Sequence, residues 1–571
     1  MNGMESYLNS LMALEIKSNG NNEALDKIDN LYRELLLKSK YNWMLLLNYN
    51  CFRIRNISRL SFFRPRILVG SMNYSHFPNF HTYDLLKIAD VVSLSYSDEN
   101  RIDRVKWNVF EDSIFEIISR LPDGFIPDLF FDNQIDGNHF IPLKLEQAPF
   151  ATVCSLCHMA KSDVISSAAK LFDVVIPLST EFNTFVKRNS NSHVVNLPFG
   201  ANWGSFHHII NTVEKEKDID VSITFQPTTN RRKNVYKLVH DFQNKYGTEY
   251  NIYMATDRID KNEYFEILSR SKISINVVEI HGPYNYRTCE IINSGALLFQ
   301  YGNLIPGCET RLENYFTNGE QYIEFDDFNF EDNILRLLKN PDKINEITYA
   351  AKQLLENDYS YSKIYSKMLG EISKLTIDGS GRLSEKEAEF YLAKFYWSYG
   401  DDFKSSEYGI LFFRGSSEFL PSKMFMSNAL ALSVRCFDSF KEEDLTKVLG
   451  ISFYCGKKSN FRLELINYIY NQTDKDFVAR WNYLIALNSI GVFDGDIFSA
   501  LRAEVNYFVD LNISTFKLVN MHLGKDCCIG YSFHYADFQE DLMVDGLNEN
   551  KIECVYIKHM NIILNDIAKQ L

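Results

Sequence analysis

Short apolar runs of strand length recur along the middle of this chain, and each is followed by a segment of helical spacing. RILVGS (66–71), ADVVSLSY (89–96), PDLFFDN (127–133), PFATVCSL (149–156), FDVVIPLS (172–179) and HVVNLPFG (193–200) form a first set. Continuous apolar strands separated by helices mean a parallel sheet covered on both faces. From Asp218 the alternation begins again. DIDVSITF, EYNIYMAT, KISINVVE and ALLFQYG read as strands, and RKNVYKLVHDFQNKY, KNEYFEILSRS, EDNILRLLKN and INEITYAAKQLLEN as helices. Two α/β sheet domains in tandem are expected, joined near residues 201–217.

The flanks are helical. Leu8, Leu11, Leu14 and Ile16 begin an apolar pattern that LDKIDNLYRELLLKSK continues. Between residues 33 and 66, Arg33, Lys38, Lys40, Arg53, Arg55, Arg59, Arg64 and Arg66 are opposed only by Glu34, with Trp43, Phe52, Phe62 and Phe63 interleaved. A basic aromatic segment can rest on an anionic membrane surface. The plainer reading is a helical cap docked on the next domain by its aromatics, with its arginines in water. Beyond about residue 383, KEAEFYLAKFYWSYG, DFKSSEYGILFFRG, SKMFMSNALALSVRCF, EEDLTKVLGISFYCG, FRLELINYIYNQ and DFVARWNYLIALNSIG are successive amphipathic helices. Their spacing suggests an irregular helical-repeat array, TPR-like in kind, and an ordinary helical domain fits as well. The expected division is therefore a helical segment 1–62, a first α/β domain 63–205, a second 206–378 and a helical domain 379–571.

Composition excludes several classes. At 571 residues, two to four domains are expected. A net charge of −14 gives no support to general nucleic-acid binding. Met1 to Asn22 is polar, without the apolar core of an export signal, and no apolar run reaches membrane-span length. Ten cysteines scattered over so long a chain suit reduced thiols better than a disulfide frame, which points to the cytoplasm.

Chemistry concentrates in HGPYNYRTCEIINSGALLFQYGN, residues 281–303. His281 to Asn285 form a loop leading into a helix that starts near Tyr286. The free N–H groups of its first turn and the helix dipole favour an anion. Arg287 adds a charge-assisted hydrogen bond. Glu290, one turn on, can accept from the two vicinal hydroxyls of a ribose. Ser294-Gly295-Ala296 ends the helix tightly before the next strand. A plain Arg–Glu pair on a solvated helix face has the same spacing.

YRTCEIINSGALLF followed by GCETRLENYFTNGEQYIEFDD resembles the C-terminal domain of GT-B glycosyltransferases, in particular the group related to CgeB spore-maturation proteins. The segment from Pro149 to His207 is similar to the end of the N-terminal domain of family 4 glycosyltransferases, with His158, Ser179 and Gly200 at the family's positions. TTNRRKNVYKLVHDF resembles the basic loop and helix that meet the donor phosphates there. Lys233 is the best match, with Arg231 and Arg232 beside it. The likeness covers roughly residues 64–375. It implies two Rossmann-like domains in a GT-B arrangement, an acceptor domain first and a nucleotide-sugar domain second. The implied activity is transfer of a hexosyl or related sugar from a UDP- or GDP-sugar to a protein or glycan acceptor, with no obligatory cofactor and no metal. The donor residues would be Arg231, Arg232, Lys233, His281, Asn285, Arg287 and Glu290.

Family 4 enzymes usually carry two glutamates separated by seven residues. Glu290 fits the second, whereas the first position is Gly282, beside His281. That departure leaves open a non-catalytic, transferase-like scaffold whose helical tail binds protein partners. Candidate catalytic groups are His158 and, at the end of the PDLFFDN strand, Asp132; a structural histidine and a turn-capping aspartate are the plainer alternatives. Gly70 and Ser71 either approach substrate or simply turn the chain. Asp326-Asp327 reads as a solvated loop. Cys154-Ser-Leu-Cys157-His158 spells a haem-attachment pattern, but it begins inside an apolar run and follows no export signal, so buried thiols are expected, and zinc finds little support.

Overall fold

A computed structural model describes residues 2–39, 42–60, 64–72, 84–95, 101–108, 112–135, 139–156, 169–177, 191–197, 216–227, 230–255, 257, 259–277, 285–302, 312–385, 387–388, 391–392, 463, 466–467, 470–471, 475, 477–489, 491–510, 564–565 and 568–569.

Three helices open the chain: α1 (Asn2–Ser18), α2 (Asn22–Lys38) and α3 (Trp43–Arg55). Asn21 and Asn42 cap α2 and α3, each accepting a backbone N–H from the first turn, at Ala24 and Leu45. Leu8, Leu11, Leu25, Ile28, Tyr32, Leu45, Tyr49 and Phe52 form their common core. Leu14 and Ile16 face outward instead. Each step of three residues falls about 60° short of a full helical turn, so Leu14 has rotated off the stripe that Leu8 and Leu11 share.

The first sheet contains β1 (Arg66–Val69), β3 (Asp90–Ser95), β4 (Arg104–Lys106), β5 (Leu129–Ile135), β7 (Ala151–Leu156), β8 (Val174–Pro177) and β9 (His193–Val194), in the order β4-β3-β1-β5-β7-β8-β9. Every pairing in it is parallel. A side ribbon pairs β2 (Ser71–Met72) with β6 (His139–Phe140), and a short helix α4 (Ile114–Ser119) precedes β5. The second sheet contains β10 (Ile219–Ile223), β11 (Ile252–Met254), β12 (Ser271–Val277), β13 (Leu297–Tyr301) and β14 (Ile323–Phe325), again all parallel, in the order β11-β10-β12-β13-β14. Its helices are α5 (Asn230–Tyr246), α6 (Lys261–Arg270), α7 (Tyr286–Asn293), α8 (Phe330–Leu338) and α9 (Pro341–Asp358). The two parallel α/β sheets in tandem agree with the alternation in the sequence. Strand order reverses between β1 and β5 in the first and between β10 and β12 in the second.

After α9 the chain returns to the first sheet, a step the sequence pattern does not announce. Helix α10 (Tyr361–Ile372) buries Tyr361, Tyr365, Met368 and Ile372 among Ile67, Val69, Leu129, Phe131, Val153, Val174 and Ile176. The Tyr365 ring meets Phe131 edge-on at 5.7 Å. Further on, Arg382 grips Asp173 through Nε and Nη2, both at 2.7 Å, and donates to the Phe150 carbonyl at 2.8 Å. The last described pair is α11 (Phe477–Ser489) and α12 (Gly495–Asp510), joined by Arg480 to Glu504 at 2.6 Å. The other helices expected of a C-terminal array lie largely outside the described residues. Among described residues, no helix is long and apolar enough to cross a membrane.

The arginines of the 33–66 segment correct one expectation: Arg53 and Arg64 are buried, while Arg55 and Arg59 remain exposed. Arg53 is 2% exposed and donates to Asp29 at 3.0 Å and Asp90 at 2.9 Å, while the Tyr49 hydroxyl also donates to Asp29. Arg64 is buried and donates to the Leu86 and Ala89 carbonyls. Arg33, Arg55 and Arg66 pair with Asp29, Glu15 and Asp128. On the same helix, the Asn50 amide donates to the Val91 carbonyl and accepts from the Val91 N–H, as a neighbouring strand would. The cap is thus docked by charge and hydrogen bonds as well as by aromatics. Removing one partner of a buried ion pair strands the other charge, at a cost of about 3–5 kcal/mol. Arg53→Met is therefore expected to lower the urea midpoint markedly. Arg55→Met, at the more exposed pair with Glu15, should cost about 1 kcal/mol or less. Equal midpoints for the two variants would show that the buried network contributes no stability.

Candidate functional site

Ligands of open parallel sheets bind where strand order reverses, beyond the carboxyl ends of the strands. In the second sheet that place is flanked by the start of α5, which follows β10, and the start of α7, which follows β12. Side chains alternate across the strands. Val221, Ile223, Phe225, Ile275, Val277, Phe299 and Tyr301 face the apolar core, which α5, α8 and α9 cover. Ser222, Thr224, Ser274, Asn276 and Gln300 lie on the other face and are buried too.

Phe225, 2% exposed just past β10, organises the cations. The Arg232 guanidinium, from the first turn of α5, lies 5.5 Å from its ring centroid; that of Arg287, from the first turn of α7, lies 5.3 Å from the same ring. A guanidinium over an aromatic face is attracted by the ring quadrupole. Two guanidiniums sharing one ring also repel each other, and an anion between them would relieve that repulsion. The Arg287 Nε is buried and meets no acceptor among the described residues. Arg231 stacks on Tyr301 at 4.9 Å and reaches the Tyr301 carbonyl at 3.4 Å. Lys233 is exposed on the same helix start.

The start of α7 is fixed from beneath. Asn285 is its cap, accepting the Thr288 N–H at 3.2 Å and donating to the Val277 carbonyl at the end of β12 at 3.2 Å. Asn276 Nδ2 lies 3.2 Å from Asn285 Oδ1, 3.0 Å from Thr288 Oγ1 and 2.9 Å from Gln300 Oε1. The Asn285 side chain is therefore occupied in orienting the helix. At the far end Gly295 adopts φ +75°, the left-handed conformation that lets the helix stop and β13 begin. One turn beyond Arg287, the Glu290 carboxylate accepts the Tyr264 hydroxyl at 2.6 Å. Burial, and next the Glu290 charge, push the Tyr264 phenol well above its ordinary value, so it stays a proton donor.

The first sheet brings Gly70 and Asp132 together at its own reversal point. Asp132, on β5, is fully buried, and a Cβ on Gly70 would lie 2.7 Å from the Asp132 carboxyl carbon. Only glycine fits there without displacing the carboxylate. Asp132 pairs in register with Cys154 on β7, and burial together with the Asp132 charge raises the Cys154 thiol well above its ordinary value. Cys154 is fully buried between β5 and β8, as expected of a packed thiol. Neighbouring Asn133 donates to Tyr365 of α10 at 3.2 Å and accepts from Ser155 at 2.6 Å. His158, Cys157, Ser179, Gly200, His281 and Gly282 lie outside the described residues. Among the described residues no three His, Cys, Asp or Glu side chains are grouped to hold a metal. Asp327 accepts from Tyr301 and Asn234, both at 2.8 Å, and Asp326 accepts two backbone N–H groups, from Phe328 and Asn329.

So the structure brings Arg232 and Arg287 to one ring, with Glu290 one turn further along α7 and Arg231 and Lys233 at the start of α5. Phe225 and Tyr264 carry no motif, and their role rests on contacts distant in sequence.

Residues 228–370 match the family described as "Glycosyl transferase-like". That stretch resembles a glycosyltransferase domain. It is about a quarter of the chain and contains every donor residue expected from the sequence. No curated protein matches the chain. Among solved structures, an alpha-glucosyltransferase in complex with UDP and a 13-mer DNA containing an HMU base is 12% identical, with a TM-score of 0.37 over 54% of this chain and 99% of that one. A glycosyltransferase from Rickettsia africae ESF-5 gives 12% and 0.37 over 55% and 99%. Anabaena Alr3699/HepE in complex with UDP and glucose gives 9% and 0.33 over 55% and 100%.

Two outcomes check this geometry. Inorganic pyrophosphate at 100 times its Kd should stabilise the protein by about 2.7 kcal/mol. Arg232→Ala and Arg287→Ala should each remove most of the resulting rise in Tm; an undiminished rise in both would show that the anion binds elsewhere. Gly70→Ala should destabilise by about 1–3 kcal/mol through overpacking against Asp132, and a wild-type melting curve would contradict the close approach.

Proposed function

We propose that this chain is a glycosyltransferase of GT-B type that moves a sugar from a nucleotide-sugar donor to a hydroxyl of a protein or glycan. Residues 206–378 hold the donor and residues 63–205 the acceptor. The observation that carries this reading is the pair of guanidiniums, Arg232 and Arg287, converging on Phe225 from two helix starts at the second sheet's reversal point. The family match over the same stretch supports it.

The chemistry follows from charge. The bond between the sugar's anomeric carbon and the diphosphate breaks, a bond from the acceptor oxygen to that carbon forms, and the acceptor's proton leaves. Negative charge grows on the departing diphosphate. Cations placed before the reaction stabilise that charge without reorganising. Arg232, Arg287 and the N–H groups of α7 supply this, assisted by Arg231 and Lys233. Glu290 accepts from the ribose hydroxyls, and His281 borders the sugar. The acceptor's proton passes to His158 or Asp132, or to the leaving phosphate itself in a route that retains configuration. The C-terminal helices dock the acceptor or a partner protein.

Gly282, at the position where related enzymes carry a first glutamate, favours a second reading: a scaffold that kept the fold and lost the reaction. A panel of UDP, GDP, CMP and their sugars in thermal shift separates the two. One nucleotide should raise Tm, and its sugar should be turned over. Arg287→Ala is then expected to lower kcat/KM about 10²–10³-fold, the cost of losing one preorganised donor to a developing anion. Glu290→Ala should chiefly raise the donor's KM. A flat response across the panel from folded protein would favour the scaffold.

A further inference from the structure

Glu290 stands on three rotatable bonds at a helix surface. To accept from two vicinal hydroxyls at once, its carboxylate must hold a single orientation. The Tyr264 side chain of α6 reaches across from the preceding helix to provide it: its hydroxyl donates to Glu290 Oε2 at 2.6 Å, and the Arg287 charge acts on the same phenol. A phenol has one proton to give and lone pairs to receive. The single phenol proton is therefore directed at Glu290. The Tyr264 ring is itself anchored, packing edge-on against Phe265 at 5.1 Å and against the apolar cluster that contains Cys289 and Ile292. Asp260 caps the helix that carries it, accepting from the Asn262 and Glu263 N–H groups.

We propose that Tyr264 is a positioning residue for the donor's ribose: it holds the Glu290 carboxylate in the rotamer that accepts from the 2′- and 3′-hydroxyls. A carboxylate offers about four acceptor positions, and Tyr264 takes one. Tyr264 thereby ties Glu290 of α7 to α6. A site built around a substrate hydroxyl discriminates strongly against the analogue that lacks it. This inference rests on the nucleotide-sugar reading of the second sheet and deepens it.

Calorimetric titration with UDP and with 2′,3′-dideoxy-UDP tests it, or with the guanosine pair if the donor panel selects guanosine. Hydrogen bonds to a charged group change affinity about tenfold or more, so the wild type should prefer the ribose compound by at least that factor. Tyr264→Phe should shrink this preference several-fold while the dideoxy compound binds within about twofold of its wild-type affinity. Glu290→Gln should shrink it as well, and the double variant should lose no more than Glu290→Gln alone. A merely structural tyrosine would weaken both ligands equally on substitution. That result, a preference left intact in Tyr264→Phe, or additive losses in the double variant would each overturn the assignment. A wild type that binds neither UDP nor GDP would remove the donor reading, and this inference with it. A wild type that binds UDP and its dideoxy analogue equally would overturn the ribose role alone.

Discussion

A parallel sheet has two faces to bury, and the first sheet of this protein takes part of its cover from residues that follow the second. Helix α10 lays Tyr361, Tyr365, Met368 and Ile372 on the strands of the first sheet. Arg382 then fastens the outgoing chain to Asp173 and to the Phe150 carbonyl. Residues more than 200 positions apart thus share one core, and the first sheet is incomplete until the second has been made. The polar tie from Asn133 to Tyr365 places this junction beside Asp132, close to the first sheet's own reversal point.

The second sheet uses its two faces for different ends. The apolar face secures the strands against α5, α8 and α9. The opposite face buries Ser222, Ser274, Asn276 and Gln300; Ser222 donates to Ser274, and Asn276 links Gln300 to the cap of α7. Buried polar groups are costly unless paired. Here the pairing sets the direction of a helix start, and with it the place of Arg287. The start of α7 is consequently held from below by a network, and Phe225 holds the Arg232 and Arg287 guanidiniums from the side.

Much of this was legible in the sequence, and the failures have physical causes. Continuous apolar runs announced the parallel strands because burial on both faces leaves no alternation. Helix α7 begins at Tyr286, where the loop before it predicted a start. Other elements gave weaker signals. HVVNLPFG supplies only the two-residue β9, and β14 is too short to form a recognisable run. Helix α10 was missed although its tyrosines and methionine have helical spacing, because they pack on partners far upstream. In the candidate site, Arg287 and Glu290 were singled out from residue type and spacing, and Arg232 only through the family resemblance, as a neighbour of Lys233; Phe225 and Tyr264 were not, since an aromatic beside a charge is common and only the fold brings them together. The arginines of α3 were read as solvated because the carboxylates that receive Arg53, at Asp29 and Asp90, lie 24 and 37 residues away.

The amide of Asn50 has a bearing on how this protein stays apart from its neighbours. Strand β4 pairs with β3 only at Ser93, Leu94 and Ser95, so among the described residues the earlier part of β3 has no strand beyond it. Asn50 occupies that gap, meeting both the N–H and the carbonyl of Val91 with a single side chain. Open backbone groups along a sheet's border invite another chain to add itself. By plugging that border with an amide carried on a helix, the N-terminal cap also acts as a guard against misassembly and fibre-like growth.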